Sequence, residues 1–83
     1  IGKFNMAILY IIDNETDKAL SVLTSMDIAE LPNNLRFKNL YLKSIVYFLK
    51  KDYSTSYKFV DAALSIDPTN NKARYLQSVI ERY

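Results

Sequence analysis

The sequence predicts an all-α protein, and three observations carry that prediction. Its 83 residues contain one glycine and two prolines, so little interrupts a helix. Apolar residues recur at three- and four-residue spacing almost throughout, the period of an amphipathic helix. No stretch alternates apolar and polar residues well enough to read as a strand.

Five helices follow in order. The first is expected over residues 2–13 and is broken by Asn14, Glu15 and Thr16. A second is expected over 16–29, before Leu31-Pro32-Asn33. Pro32 lacks an N–H and disfavours helix at the residue before it. The third runs over 34–50 to Lys51-Asp52, and the fourth over 53–66 to Asp67-Pro68-Thr69-Asn70. Thr69 or Asn70 is suited to cap the fifth, expected over 70–83, because its side-chain oxygen can accept from a free N–H of the first turn.

Composition bounds what such a bundle can do. A chain this short buries only about 60% of the surface its unfolded form exposes, so it makes at most one small domain. Apolar and aromatic fractions of 49% and 13% belong to a folded chain. The absence of cysteine and histidine excludes disulfides, thiolate zinc sites and histidine acid–base chemistry within the chain. A net charge of +2 does not by itself imply a nucleic-acid partner, but the charge is uneven. Residues 1–34 carry five acids and two bases, and residues 35–83 four acids and nine bases. Two readings fit that split, solvated helix faces or a basic docking surface. The longest apolar run, MAILYII at 6–12, is far short of the ~20 residues a membrane span needs. A chain starting at Ile1 is expected to be part of a longer product, and any targeting segment or anchor would lie outside it.

Self-comparison shows that the helices are not independent. Ala7 and Tyr10 match Ser44 and Tyr47 at a spacing of 37, and Ala19, Leu20 and Leu23 match Ser56, Tyr57 and Val60 at the same spacing. Ser44 recurs as Ser78 after 34. Small side chains at matched sites let helices approach closely, and a helix pair repeated every 34–37 residues marks a solenoid.

The segment FKNLYLKSIVYFLKKDYSTSYKFVDAALSIDPTN, residues 37–70, resembles one full tetratricopeptide repeat. Leu40, Ser44 and Tyr47 stand at that family's first-helix positions, Asp52-Tyr53 at its inter-helix turn, and Ser56, Val60, Ala63-Leu64 and Asp67-Pro68 at its second-helix and closing positions. Lys43 and Lys51 depart from it, replacing a usual buried leucine and a usual turn glycine. Residues 1–34 look like a degenerate copy and 71–83 like a capping helix of the same single domain, 1–83. Within the superfamily, KFNMAI (3–8), KALSVL (18–23) and KFVDAALSIDPTNNKA (58–73) are similar to the tail-anchored mitochondrial fission 1 family.

That resemblance implies a right-handed superhelical bundle of two and a half antiparallel helix pairs, whose first helices line a concave groove. Carried onto this chain, the groove would show Phe4, Ile8, Ile11 and Ile12, then Tyr41, Leu42, Ile45, Phe48 and Leu49, then Tyr75, Leu76 and Val79. An apolar patch of that size suits an amphipathic helix or apolar peptide anchored at three- and four-residue spacing, or else it is core. If it is a groove, Ile45→Ala or Phe48→Ala should abolish partner binding with little loss of stability. The carboxylate-clamp binding of co-chaperone repeats is disfavoured, because its sites read Phe4, Ile8, Leu42 and Leu76, with only Lys72 suitable.

Other chemistry fares worse. DNETDK (13–18) begins like a calcium loop but has Lys18 where the loop needs glycine and Thr24 where it needs a bidentate glutamate. No phosphate-binding glycine loop and no nucleophile–base pair is present. Seven tyrosines with nearby lysines suggest RNA stacking, yet most of them occupy repeat packing positions. The expectation is a non-catalytic adaptor without cofactor or metal. It would bind a protein or peptide and sit on the cytosolic side of the mitochondrial outer membrane, held there by an anchor outside this chain. The alternatives are a generic cytosolic or bacterial repeat scaffold and, third, an RNA-binding module.

Overall fold

The computed structural model describes residues 2–83. Helices α1 (Lys3–Ile12), α2 (Thr16–Thr24), α3 (Asn33–Leu49), α4 (Tyr53–Ile66) and α5 (Asn71–Ile80) follow one another, with one 3-10 turn at Ile28–Glu30. No strand occurs among the described residues. The fourth helix begins and ends where the sequence places it, and of the two candidate caps it is Asn70 whose Oδ1 accepts from the Ala73 N–H at 3.0 Å.

The second helix stops five residues earlier than expected. Thr24 Oγ1 donates to the Leu20 carbonyl and Ser25 Oγ to the Val22 carbonyl, at 2.9 and 2.6 Å. These short side chains compete for the backbone groups that would extend the helix. Asp27 then caps the 3-10 turn by accepting from the Ala29 N–H. Arg36 fixes the connection from the other side, donating through Nε to the Ile28 carbonyl and through Nη2 to the Leu31 carbonyl, at 3.2 and 3.0 Å.

The turns after α1 and α3 are built alike, 37 residues apart. Asn14 and Lys51 both adopt left-handed backbone, with φ of 59° and 64°. Each turn repeats one hydrogen-bond pattern. The Asn14 and Glu15 N–H groups reach the Ile11 and Tyr10 carbonyls, and those of Lys51 and Asp52 reach the Phe48 and Tyr47 carbonyls. This closure satisfies carbonyls that the last helical turn would otherwise leave free. Asparagine tolerates the conformation, whereas lysine pays a Cβ clash of about 1–2 kcal/mol. Lys51→Gly is therefore expected to raise stability by roughly 0.5–1 kcal/mol after the added freedom of the unfolded chain is subtracted, as read by urea denaturation.

Short connections and lateral contacts set the topology. Asn39 on α3 meets Leu23 on α2, and Lys50 pairs with Asp17, so α2 and α3 run antiparallel. Ser44 meets Ser56 and Phe48 meets Tyr53, so α3 and α4 do too. Asp61 meets Gln77 and Tyr53 meets Tyr83, which turns α5 parallel to α3. Lys38 lies over Phe4, bringing the start of α1 beside the start of α3. The Cα extents of 33 × 27 × 17 Å fit two layers of helices. Helices α1, α3 and α5 run one way, and α2 and α4 run the other.

Two apolar clusters hold the layers together. Ala7, Ala19, Leu23, Leu42 and Val46 form one, and Val60, Ala73 and Ile80 the other. The expected small-residue contacts appear in both halves. Ala7 and Ala19 are fully buried between α1 and α2, and their counterparts Ser44 and Ser56 are fully buried between α3 and α4. Ser44 Oγ donates to the Ser56 carbonyl at 2.8 Å and Ser56 Oγ to the Ser44 carbonyl at 2.7 Å. Ser78, expected to continue the series, is exposed, and the buried face of α5 is Ala73 and Ile80 instead. In the repeat, that small residue faces the second helix of its own pair, and among the described residues Ser78 has no such helix against it.

Lys43, one of the departures from the repeat pattern, is buried with only 7% of its surface exposed. Its stem packs within the bundle, its ammonium lies 5.7 Å from the Phe59 ring, and burial lowers its pKa. Phe59 is stacked in turn on Tyr47.

Candidate functional site: a partner-binding face

Helical periodicity and burial together pick out the face shared by α1, α3 and α5. On α3, Lys38, Tyr41 and Ile45 are half-buried and Leu49 is exposed. These positions fall on one side of the helix. On α1 the corresponding row is Phe4, Ile8 and Ile11, all half-buried, with Ile12 72% exposed at its end. On α5 it is Leu76 and Val79, both half-buried, with Lys72 one turn earlier.

The expected site residues therefore divide into groups. Phe4, Ile8, Ile11 and Ile45 form the outer wall of the first cluster, and Tyr41 touches both clusters. Burial raises the Tyr41 pKa, so its phenol stays neutral at physiological pH. Phe48 and Leu76 pack on the second cluster. Ile12, Tyr75 and Leu49 project furthest into solvent.

Two residues depart from expectation. Leu42, only 7% exposed, belongs to the core and cannot meet a partner. It lies beside Val46 on the flank of α3 where the Lys38–Tyr41–Ile45 row turns into the core. Tyr75, by contrast, is 71% exposed and lies about 40° around α5 from Val79, at the outer edge of the same face. Phe48 is engaged within the fold. Its ring meets Tyr53 and Tyr83 edge-on at 5.4 and 5.5 Å, while those tyrosines stack at 4.5 Å.

Sequence reasoning also missed two features. Lys38 extends its ammonium over the Phe4 ring at 5.2 Å, placing a cation inside the apolar row. Sorting charges by helix would have found it, and sorting by halves of the chain concealed it. The second feature is a pocket of about 340 Å³ where the start of α3 meets the α4–α5 turn, lined by Asn33, Asn34, Phe37, Ile66, Asp67 and Asn70. Much of its polar rim is occupied locally. Asn33 accepts from Arg36, Asn70 accepts from the Ala73 N–H, and Asp67 accepts from Thr69 and Asn70.

Among the described residues, no group of three or more carboxylate, histidine or cysteine side chains is placed to hold a metal ion. Nor, among the described residues, is any helix long and apolar enough to cross a membrane.

No curated protein and no solved structure matches the chain. A family model does, over residues 38–83, which take in most of α3 and all of α4 and α5. That match spans more than half of the sequence, and the five antiparallel helices, the repeated turn and the small-residue contacts agree with it: the chain belongs to the family of the Fis1 C-terminal tetratricopeptide repeat.

Proposed function

We propose that this chain is a non-catalytic adaptor that holds an amphipathic helix of a protein partner against the α1–α3–α5 face. Tetratricopeptide-type modules are protein-interaction modules, which supports the general role. The observation that carries the specific reading is the row of apolar side chains on all three parallel helices, half-buried at Phe4, Ile8, Ile11, Tyr41, Ile45, Leu76 and Val79. Side chains so placed are fixed by the core behind them yet still offer surface, so a partner orders few new groups on binding. Residues 1–34 and 37–70 act in this reading as two copies of one helix pair, with 71–83 closing the second. Family membership further supports a role in mitochondrial fission on the cytosolic side of the outer membrane, through an anchor outside this chain. Fractionation of the full-length product with outer-membrane markers checks that placement.

The face is tested with a displayed library of amphipathic helices of about 18 residues, apolar positions fixed at three- and four-residue spacing and the rest varied. Ile12→Ser with Leu49→Ser removes the two most exposed aliphatic groups of the face and leaves the core intact. Selected helices are expected to bind this variant at least tenfold more weakly, at a melting temperature within about 2 °C of the parent. Undiminished binding would place the partner elsewhere.

A further inference from the structure

The carboxylates of this chain are segregated from the α1–α3–α5 layer. All nine Asp and Glu residues lie on α2, on α4 or in the segments between and after helices. Helices α1, α3 and α5 contain none, but carry Lys3, Arg36, Lys38, Lys43, Lys72 and Arg74. Two of these cations are already committed to the fold. Arg36 holds the loop before α3, and Lys43 is buried behind Phe59.

Lys38 and Lys72 stand on the same rows as the apolar side chains, Lys38 one turn before Tyr41 and Lys72 one turn before Leu76. Both lie toward the starts of their helices, and the parallel course of α1, α3 and α5 brings those starts to one end of the face. The described residues form two ion pairs, Lys18–Glu15 and Lys50–Asp17, and neither lysine takes part in them. Nearby carboxylates are turned onto their own backbone or neighbours, Asp27 onto Ala29 and Asp67 onto Thr69 and Asn70. The partial positive charges of three helix N-termini add to the same end.

We infer that the occupant of this face is an amphipathic helix with acidic residues at one end, which Lys38 and Lys72 select and orient. This rests on the groove reading above and names the partner's chemistry. A helix lying along the rows places its apolar stripe over Ile8, Ile45 and Val79 and its carboxylates beside Lys38 and Lys72. A basic helix meets unpaired cations without a single compensating carboxylate on the three helices. Charge complementarity of this kind fixes register and rejects wrong partners more than it adds affinity. A flat lipid surface fits less well, because Ile8, Ile45 and Lys38 are half-buried between neighbouring helices and Lys38 rests on Phe4.

The same displayed library decides it, with glutamate, glutamine or lysine allowed at the solvent-facing positions of each end. Enriched helices should carry glutamate at one end only and bind at least tenfold more tightly than their glutamine versions at about 50 mM salt, a margin that shrinks at about 300 mM. Lys38→Glu with Lys72→Glu should invert the preference toward lysine without shifting the melting temperature. Equal enrichment of acidic, neutral and basic ends, all lost on Ile12→Ser with Leu49→Ser, would overturn this inference and leave the groove reading standing. Binders indifferent to the Ile12 and Leu49 changes, or no binders at all, would overturn both. Binding of the parent chain to vesicles of about 30% phosphatidylserine, abolished by the two lysine changes, would assign the cations to a membrane and also overturn it.

Discussion

Ser56→Leu should cost about 2–4 kcal/mol of stability. Ser56 and Ser44 are fully buried and exchange hydroxyl–carbonyl hydrogen bonds at 2.7–2.8 Å, which holds the backbones of α3 and α4 close together. A leucine there must force the helices apart or adopt a strained rotamer, at about 1–3 kcal/mol. It also removes the hydrogen bond that Ser56 Oγ donates to the Ser44 carbonyl, worth about 1 kcal/mol in a buried interface. The informative control is Ser44→Ala with Ser56→Ala. That pair reproduces the contact already present as Ala7 and Ala19 in the other half of the chain, and both hydroxyls leave together. The carbonyls keep their helical N–H donors, so the double change should stay within about 1 kcal/mol of the parent. Urea denaturation followed by circular dichroism measures both. A Ser56→Leu midpoint equal to the parent's would show that the α3–α4 contact is loose.

The other large effect is expected at Phe48→Ala, at about 2–3 kcal/mol. The sequence alone makes Phe48 a groove residue whose truncation spares stability. The structure places its ring against Tyr53 and Tyr83, so truncation opens a hole beneath two stacked tyrosines and unfastens the segment after α5. For a domain of this size that loss lowers the melting temperature by roughly 10–20 °C. With no tryptophan in the chain, near-ultraviolet circular dichroism reports directly on the tyrosines, and its signal should fall in the folded variant. A stable Phe48→Ala protein with unchanged tyrosine signal would return Phe48 to the partner-binding row.

How far each feature was legible in the sequence depended on whether it left a periodic trace. The fourth helix was readable to the residue, because Asp52 caps it and Asp67-Pro68 ends it. The small-residue contacts Ala7–Ala19 and Ser44–Ser56 were readable because they recur at one interval, whereas the matched turns at Asn14 and Lys51 emerge only from the backbone. The early end of α2 was not, since Thr24, Ser25 and Asp27 act through their own local hydrogen bonds and leave the apolar period undisturbed. Leu42 was misassigned because α3 is packed on several sides, and on a central helix an apolar residue can point to core or to groove with the same spacing. The Phe48–Tyr53–Tyr83 cluster joins residues that only the folding of α5 back along α4 brings together.

Asn39 shows what the polar exceptions contribute. It is fully buried, and its Nδ2 donates at 3.0 Å to the Leu23 carbonyl in the last turn of α2, while its Oδ1 finds no protein donor. Donor and acceptor belong to different helix pairs. In an array where each unit touches only its neighbours, cooperativity depends on the strength of the junctions between units. A directional bond across that junction is lost in one step rather than by gradual fraying. The expected consequence is that the first helix pair, short and weakly patterned by itself, borrows its persistence from the second, so that the two should melt as one transition.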